Sequence, residues 1–183
     1  TFRTYCGDDS PLGAHPEHGL PGIDASTGSL GQALSIGCGM ALGLRKFDTP
    51  ARVFVLMSDA ECNEGQVWEA AMLAGHLRLA RLTAVVDVNG MQAMGRTRDV
   101  LDMGDLAAKW RAFGWACAEV DGHSLAELCA ALGAPPGDRP RVVLARTVLG
   151  HGVPFMEGRL EWHYRNLSED LGREALAALE GQA

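Results

Sequence analysis

Four short apolar runs, each rich in β-branched residues, predict the strands of a sheet at residues 51–57, 82–88, 115–120 and 140–148. Between them, apolar residues recur at spacings of three and four, which places them on one face of a helix. Strands that alternate with helices are typical of right-handed β-α-β units, and continuous apolar runs are typical of strands buried on both faces. We therefore predict an α/β fold with a parallel sheet flanked by helices.

The helical segments carry end signals as well as apolar spacing. Ser168 is a predicted N-cap with acidic residues directly after it, and a glycine closes each of the two shorter helices. The first helix contains several glycines, which lower helix propensity, so we expect it to pack closely against another backbone. A dinucleotide-binding role for those glycines is weakly supported, because no strand precedes them. The predicted helices cover residues 27–47, 63–79, 106–114, 124–133 and 168–179.

Composition and charge indicate a globular protein with one domain over residues 1–183. Hydrophobic residues make up 47% of the 183 positions, and the net charge is −7. An acidic chain repels phosphate backbones, so we expect no nucleic-acid partner. No apolar run approaches the roughly 20 residues that cross a bilayer, and no signal peptide is visible, so we expect no membrane association. The chain begins at Thr1 rather than Met, which leaves open that a segment precedes it.

The cysteines bear on location and on chemistry. There are five, dispersed and without a Cys-x-x-Cys pair, which argues against a zinc ribbon or a thioredoxin motif. Reduced thiols of a cytoplasmic protein are the simpler interpretation. A nucleophilic Cys62 is the alternative, although the sequence indicates no base beside it.

The most informative segment follows the first predicted strand. Asp59 lies just past that strand and directly before a helix, whose free N–H groups suit a diphosphate. A carboxylate accepts a phosphate beside it only with a cation between them, and oxygen ligands suit Mg²⁺ or Ca²⁺. Asn89 ends the next strand 30 residues later, and the Met91 carbonyl follows the turn at Gly90. Alone, Asp59 could be a helix N-cap and Asn89 part of a turn, but together they favour one cation site.

These residues and their surroundings resemble the transketolase family, in particular the N-terminal half of its split bacterial form. The family's thiamine diphosphate motif is Gly-Asp-Gly followed after about 30 residues by Asn, and here Asp59 and Asn89 match it. The resemblance spans residues 5–165 and is strongest over residues 14–45, 58–95 and 150–163. It implies the thiamine-diphosphate-binding (PP-type) fold.

The resemblance implies a role for each matching residue near the diphosphate. Asp59, Asn89 and the Met91 carbonyl would hold Mg²⁺, for which Ca²⁺ is a possible substitute, and the metal would bridge the cofactor's diphosphate. The Ala60 amide would face that diphosphate, and Ser58 would add a hydroxyl contact.

Further roles concern the rings of the cofactor and the substrate. Gly28, Ser29 and Leu30 would lie along the aminopyrimidine and thiazolium rings. His15 would bond the hydroxyls of the two-carbon unit, and His163 would contact diphosphate and substrate. Histidine suits proton handling near neutral pH. Taken alone, either histidine would more often be a solvated loop residue than a functional one.

Two glutamates and two other histidines are the remaining candidate residues. Glu64 and Glu69 would lie at the interface between paired active sites, in a proton-sharing link, although a solvated helix start would also explain them. His76 is expected to be a packing residue and His123 part of a turn.

The chain departs from the family pattern in three ways. Gly-Asp-Gly is replaced by Ser58-Asp59-Ala60, and glycines in phosphate loops permit positive φ and close backbone approach. An earlier Ser-x-Gly-His segment is not found, so it was lost or lies before Thr1. The pyrimidine-binding domain is missing too, which implies a separate C-terminal subunit that completes each active site, in an α₂β₂ assembly.

Three functions therefore compete. The first is a subunit of a thiamine-dependent enzyme that transfers a two-carbon ketol unit between sugars or sugar phosphates. The second is another thiamine-dependent enzyme, similar to deoxyxylulose phosphate synthase or a 2-oxoacid dehydrogenase. The third is a non-catalytic interaction subunit with a degenerate site. Tyr164 and Arg165, where the family more often has Gly, mildly favour a specialised substrate.

Overall fold

A four-stranded parallel sheet with the strand order β1-β2-β6-β5 forms the centre of the computed structural model, which describes residues 4–181. A two-stranded antiparallel ribbon, β3-β4, follows β2. The predicted parallel sheet is confirmed, whereas the predicted domain ends at residues 1 and 183 lie outside the described part. The strands are β1 (Val53–Ser58), β2 (Leu82–Val88), β3 (Met91–Gln92), β4 (Gly95–Arg96), β5 (Ala116–Asp121) and β6 (Arg141–Arg146).

Helices precede, connect and follow the strands; the spacing of apolar residues predicts five of them, whereas the short helix Thr97–Leu101 was not predicted. The first begins at residue 32 rather than 27, because Gly28 and Gly31 have φ of 131° and 79° and keep the preceding segment out of the helix. Two 3-10 turns, Ala60–Asn63 and Leu160–His163, lie in loops that follow β1 and β6. The helices are α1 (Gln32–Lys46), α2 (Gly65–His76), α3 (Thr97–Leu101), α4 (Leu106–Ala112), α5 (Leu125–Gly133) and α6 (Glu169–Glu180). No helix within residues 4–181 is long and apolar enough to cross a membrane.

The core lies mainly between the sheet and the pair α1 and α2. Central strands β2 and β6 consist largely of buried residues, as continuous apolar runs predict. The expectation of burial on both faces is wrong for the two outer strands: in β1, Phe54 and Leu56 are 50% and 73% exposed, and no residue of β5 is buried. β1 is an outer strand of the described sheet, and α1 is the helix that packs most extensively against it.

Close packing at α1 also differs from the expectation. A Cβ on Gly37 would lie 2.5 Å from the Val55 side chain, not against another backbone, while Gly39 faces open space. The closest backbone approach is instead at Gly75 in α2, beside the carbonyl of Phe113. An aromatic cluster around Trp110 and Trp115 joins α2, α4 and the start of β5.

Candidate functional site

The loops after β1, β2 and β6 meet at the carboxyl edge of the sheet, where ligands bind in parallel α/β folds. The Gly90 amide, after β2, donates a hydrogen bond of 2.9 Å to the Asp59 carboxylate, after β1. The Thr147 hydroxyl, after β6, donates to Asp87 at the end of β2. A cavity of about 730 Å³ opens here, and Asp59, Asn89 and Val148 are among its lining residues. The predicted proximity of Asp59 and Asn89 is therefore found.

Asp59 is the least solvent-exposed charged group of this region, at 5%. Its Oδ2 accepts two hydrogen bonds, one from the Gly90 amide at 2.9 Å and one from the Thr97 hydroxyl at 3.3 Å. Its Oδ1 is buried and has no hydrogen-bond partner among the described residues. Burial raises the pKa of this carboxyl and the nearby Asp87 charge adds to the shift, while the N–H groups of Gly90 and Ala60 and the Thr97 hydroxyl oppose it. The Ala60 amide thus lies close to the carboxyl without reaching the geometry of a hydrogen bond to Oδ1. A buried carboxylate oxygen with a free lone pair suits a bound cation, because unpaired buried polar atoms are costly.

Asn89 and Met91 form a tight turn around Gly90, whose φ is 72°. The Asn89 side-chain oxygen accepts from the Met91 amide at 2.8 Å, and its amide group donates to Asp87 at 3.2 Å. An amide oxygen has two lone pairs, so this bond leaves one for a cation. Among residues 4–181 no group of three His, Cys, Asp or Glu side chains could hold a metal. A cation here would need the amide and carbonyl oxygens that the sequence predicts.

Glu61 was missed by the sequence reasoning, yet it connects two of the predicted segments. Its Oε2 accepts from the Ser58 amide at 2.8 Å, and its Oε1 accepts from the Gly31 amide at 3.0 Å. The Glu61 amide in turn donates to the Ser58 hydroxyl at 3.1 Å. The Ser-x-x-Glu spacing is the signature of a capping box and could have revealed the first of these bonds. Thr97 was missed too, and no sequence pattern points to it.

His15 and Gly28 lie together, as their predicted roles require. A Cβ on Gly28 would fall 2.7 Å from the His15 ring, and Gly28 has φ of 131°, so only glycine fits there. The Thr27 amide donates to the Pro16 carbonyl at 3.1 Å and fixes the two loops against each other. Ser29 and Leu30 continue this segment and are both exposed.

His163 ends the 3-10 turn Leu160–His163, and this turn packs against β3, which carries Met91. The Trp162 indole donates to the Phe155 carbonyl at 2.9 Å and anchors the turn. His163 itself is exposed. The structure thus brings the turn of His163 to the predicted metal loop.

Glu64 and Glu69 are exposed, at the start and on the side of α2. Glu64 lies beside the Gly28–Gly31 loop, because a Cβ on Gly31 would fall 2.7 Å from the Glu64 Cβ. Next to Glu69, Met72 and Leu73 are 55% and 45% exposed. One side of α2 therefore presents apolar residues around an acid.

Ser58 and Ala60 show why the departure from Gly-Asp-Gly is tolerated. Ala60 is not among the residues with positive φ, so this backbone does not require glycine there. Ser58 ends β1, and its hydroxyl caps the following turn. The variant therefore leaves the Ala60 amide in an ordinary conformation.

Three other expectations are decided by the structure. Cys62 is fully buried, and burial raises the pKa of its thiol to about 12, so it is not an activated nucleophile. His76 is exposed, so the expectation that it is a packing residue is wrong. His123 does lie in a turn, and it also accepts from the Val148 amide at 2.9 Å and stacks on His151.

Known proteins with similar sequences are transketolases. A family model described as the transketolase thiamine diphosphate binding domain matches residues 2–179. The 6-deoxy-6-sulfo-D-fructose transketolase subunit SqwG of Clostridium sp. (strain MSTE9) is 41% identical over 161 residues, covering 87% of this chain and 58% of that protein. An apulose-4-phosphate transketolase subunit of Actinobacillus succinogenes is 36% identical over 181 residues, covering 98% of this chain and 66% of that protein.

A solved structure shows the same fold. Transketolase from Campylobacter jejuni superposes with a TM-score of 0.89 at 24% identity, over 97% of this chain and 29% of that one. The chain thus spans less than two thirds of the curated relatives and of this structure. The match to the family model covers nearly the whole sequence. The chain belongs to the transketolase family and corresponds to its thiamine diphosphate binding domain.

Proposed function

We propose that this chain is one subunit of a transketolase-like enzyme that depends on thiamine diphosphate and Mg²⁺. It would transfer a two-carbon ketol unit from a ketose donor to an aldehyde acceptor, both sugars or sugar phosphates. The observation that carries the proposal is the buried Asp59 carboxylate, with one oxygen held by Gly90 and Thr97 and the other unpartnered among the described residues. A structural carboxylate would be expected to use both oxygens.

The cation would be held by Asp59, the Asn89 side-chain oxygen and the Met91 carbonyl. Ca²⁺ could replace Mg²⁺, since both prefer oxygen ligands. Ser58 and the Ala60 amide would then face the diphosphate that the cation bridges. These groups lie from the end of β1 into the turn after it, and from the end of β2 to the start of β3, and the Gly90 to Asp59 hydrogen bond joins the two segments.

The rest of the cofactor would lie along Gly28, Ser29 and Leu30. When bound, the cofactor supplies the electron sink that stabilises a carbanion after carbon–carbon cleavage. His15, against Gly28, would orient the substrate hydroxyls and exchange protons with them. His163 would contact the diphosphate and the substrate from the turn beside β3.

A partner subunit is part of the same proposal. Two relatives are named as subunits, and this chain spans 58% and 66% of their lengths. We propose that a C-terminal subunit with the pyrimidine-binding domain completes each site in an α₂β₂ assembly. The exposed Met72 and Leu73 beside Glu69 suit an interface, in which Glu64 and Glu69 would link paired sites and Glu64 would take part in catalysis. A single domain over residues 1–183 and a cytoplasmic location complete the proposal.

Calorimetric titration of the assembled complex tests this function. We expect thiamine diphosphate to bind only with Mg²⁺ present, and Asp59→Ala to abolish binding. Asp138→Ala is the matched control, because Asp138 is exposed and forms its ion pair with its neighbour Arg139. If the unaltered complex binds no cofactor, or if Asp59→Ala binds as well as the control, the proposal is wrong.

A further inference from the structure

Ser58 and Glu61 exchange two hydrogen bonds at the start of the loop that carries Asp59. The Ser58 amide donates to Glu61 Oε2 at 2.8 Å, and the Glu61 amide donates to the Ser58 hydroxyl at 3.1 Å. This reciprocal pair has the geometry of a capping box that begins at Ser58, one residue before the N-cap Asp59 of the 3-10 turn Ala60–Asn63. It brackets Asp59 and Ala60, so both ends of the metal-binding segment are fixed by side chains.

The second oxygen of Glu61 reaches a different part of the chain. Glu61 Oε1 accepts from the Gly31 amide at 3.0 Å, 30 residues away along the sequence. Gly31 follows the Gly28–Leu30 segment and is the N-cap of α1, where glycine has no side chain to cap the helix. One half-buried carboxylate therefore joins the segment expected to meet the diphosphate to the segment expected to meet the cofactor rings.

We infer that Ser58 and Glu61 are positioning residues that hold these two segments in their binding arrangement before the cofactor arrives. The inference rests on the proposed function and goes beyond it, since neither side chain is needed as a metal ligand. Holding both loops in advance lowers the cost of ordering them on binding. It also explains how serine can stand at a glycine position of the motif, because the serine hydroxyl supplies a cap that glycine lacks.

Glu61→Gln tests the inference with little change of shape. Glutamine keeps one acceptor oxygen but places an N–H₂ group where the second carboxylate oxygen accepts from an amide, so one of the two bonds is lost. We expect the dissociation constant for thiamine diphosphate with Mg²⁺ to rise about tenfold in the assembled complex, which corresponds to the loss of one charge-assisted hydrogen bond. We also expect faster amide hydrogen exchange over residues 28–31 and 58–61 in the unliganded complex.

Glu127→Gln is the matched control. Glu127 also accepts a hydrogen bond from a backbone amide, that of Asp121 at 2.9 Å, but it lies on α5 beside β5, the outer strand opposite β1. The control should leave both the affinity and the exchange at residues 28–31 unchanged. Ser58→Ala provides a second variant, which removes the cap without touching the Gly31 bond and should accelerate exchange at 58–61 alone.

A kinetic measurement separates positioning from general stability. A positioning role predicts a higher KM for thiamine diphosphate with kcat at saturating cofactor unchanged. A purely structural role predicts a lower free energy of unfolding without that selective change in KM. The inference is wrong if the unaltered complex binds cofactor and Glu61→Gln binds it equally well. If the unaltered complex binds none, the proposed function fails first and the positioning role fails with it.

Discussion

Gly75 provides the sharpest test of the packing between α2 and the start of β5. A Cβ at this position would lie 1.8 Å from the carbonyl oxygen of Phe113, and side-chain carbons are essentially never found closer than 3.0 Å to such an atom. The obstacle is backbone, which a rotamer change cannot move. Gly75→Ala therefore has to separate the two segments by more than 1 Å.

The cost of that separation follows from what it disturbs. The Trp115 indole donates to the Ala71 carbonyl of α2 at 2.8 Å, and Trp115 is only 2% exposed. Overpacking of a core costs about 1–3 kcal/mol, and a weakened hydrogen bond adds about 1 kcal/mol. Alanine regains about 1 kcal/mol of helix propensity. We expect Gly75→Ala to lower the free energy of unfolding by about 2 kcal/mol.

Two other helix glycines serve as controls for the same chemical change. A Cβ on Gly39 would have nothing within 4 Å of it, so Gly39→Ala should raise the free energy of unfolding by about 0.5–1 kcal/mol. A Cβ on Gly37 would meet the Val55 side chain at 2.5 Å, which can shift, so Gly37→Ala should fall between the two. Urea unfolding followed by circular dichroism measures all three. Equal stability of Gly75→Ala and Gly39→Ala would refute the reasoning.

Two further predictions concern the thiols and the last helix. At pH 8 a thiol reagent should modify the exposed Cys6 and Cys129 in the folded chain and not Cys62, and a count of released chromophore before and after denaturation checks this. Because burial raises the pKa of Cys62 from 9.0 to about 12, an unfolded chain loses this proton at lower pH than the folded one. Stability should therefore fall as pH rises above 9, with a shallower slope in Cys62→Ala. The Ser168 hydroxyl caps α6 by accepting a hydrogen bond from the Leu171 amide at 3.3 Å. Ser168→Ala should therefore reduce the helix content and lower the free energy of unfolding by about 1 kcal/mol. An unchanged circular dichroism spectrum and melting curve would count against this role of Ser168.

The central part of the fold could be predicted because it depends on local pattern. β2 begins and ends at the predicted residues 82 and 88, since an apolar run with no glycine or proline has few alternatives. The ribbon of β3 and β4 could not be predicted, because strands of two residues show no periodicity. The exposure of Phe54 and Leu56 was missed for a different reason, since an apolar run does not reveal which strand is outermost.

The candidate site likewise contains contacts that the sequence could predict and contacts that it could not. Asp59 and Asn89 could be paired from sequence, because the carboxyl ends of neighbouring parallel strands meet at one edge. The Thr97 bond to Asp59 could not, because it joins residues 38 apart through a ribbon that the sequence does not reveal. Glu61 lies between these cases. Its bond to Ser58 is local and follows from spacing, whereas its bond to Gly31 depends on how α1 packs beside the turn.

The geometry around Asp59 also bears on whether the variant motif marks a degenerate site. Degeneration predicts that the loop relaxes until each buried polar atom finds a partner, because an unpaired one is costly. Here the Ser58–Glu61 bonds hold the loop, and Asp59 Oδ1 stays buried without a partner among the described residues. A subunit that only binds another protein gains nothing from that cost. A cation bound at Oδ1 would offset the cost of this unpaired atom, since Mg²⁺ and Ca²⁺ bind carboxylate oxygens. The Ser58 hydroxyl therefore adds a cap to this loop, and the unpartnered Asp59 oxygen supports the proposed cation site over a vestigial one.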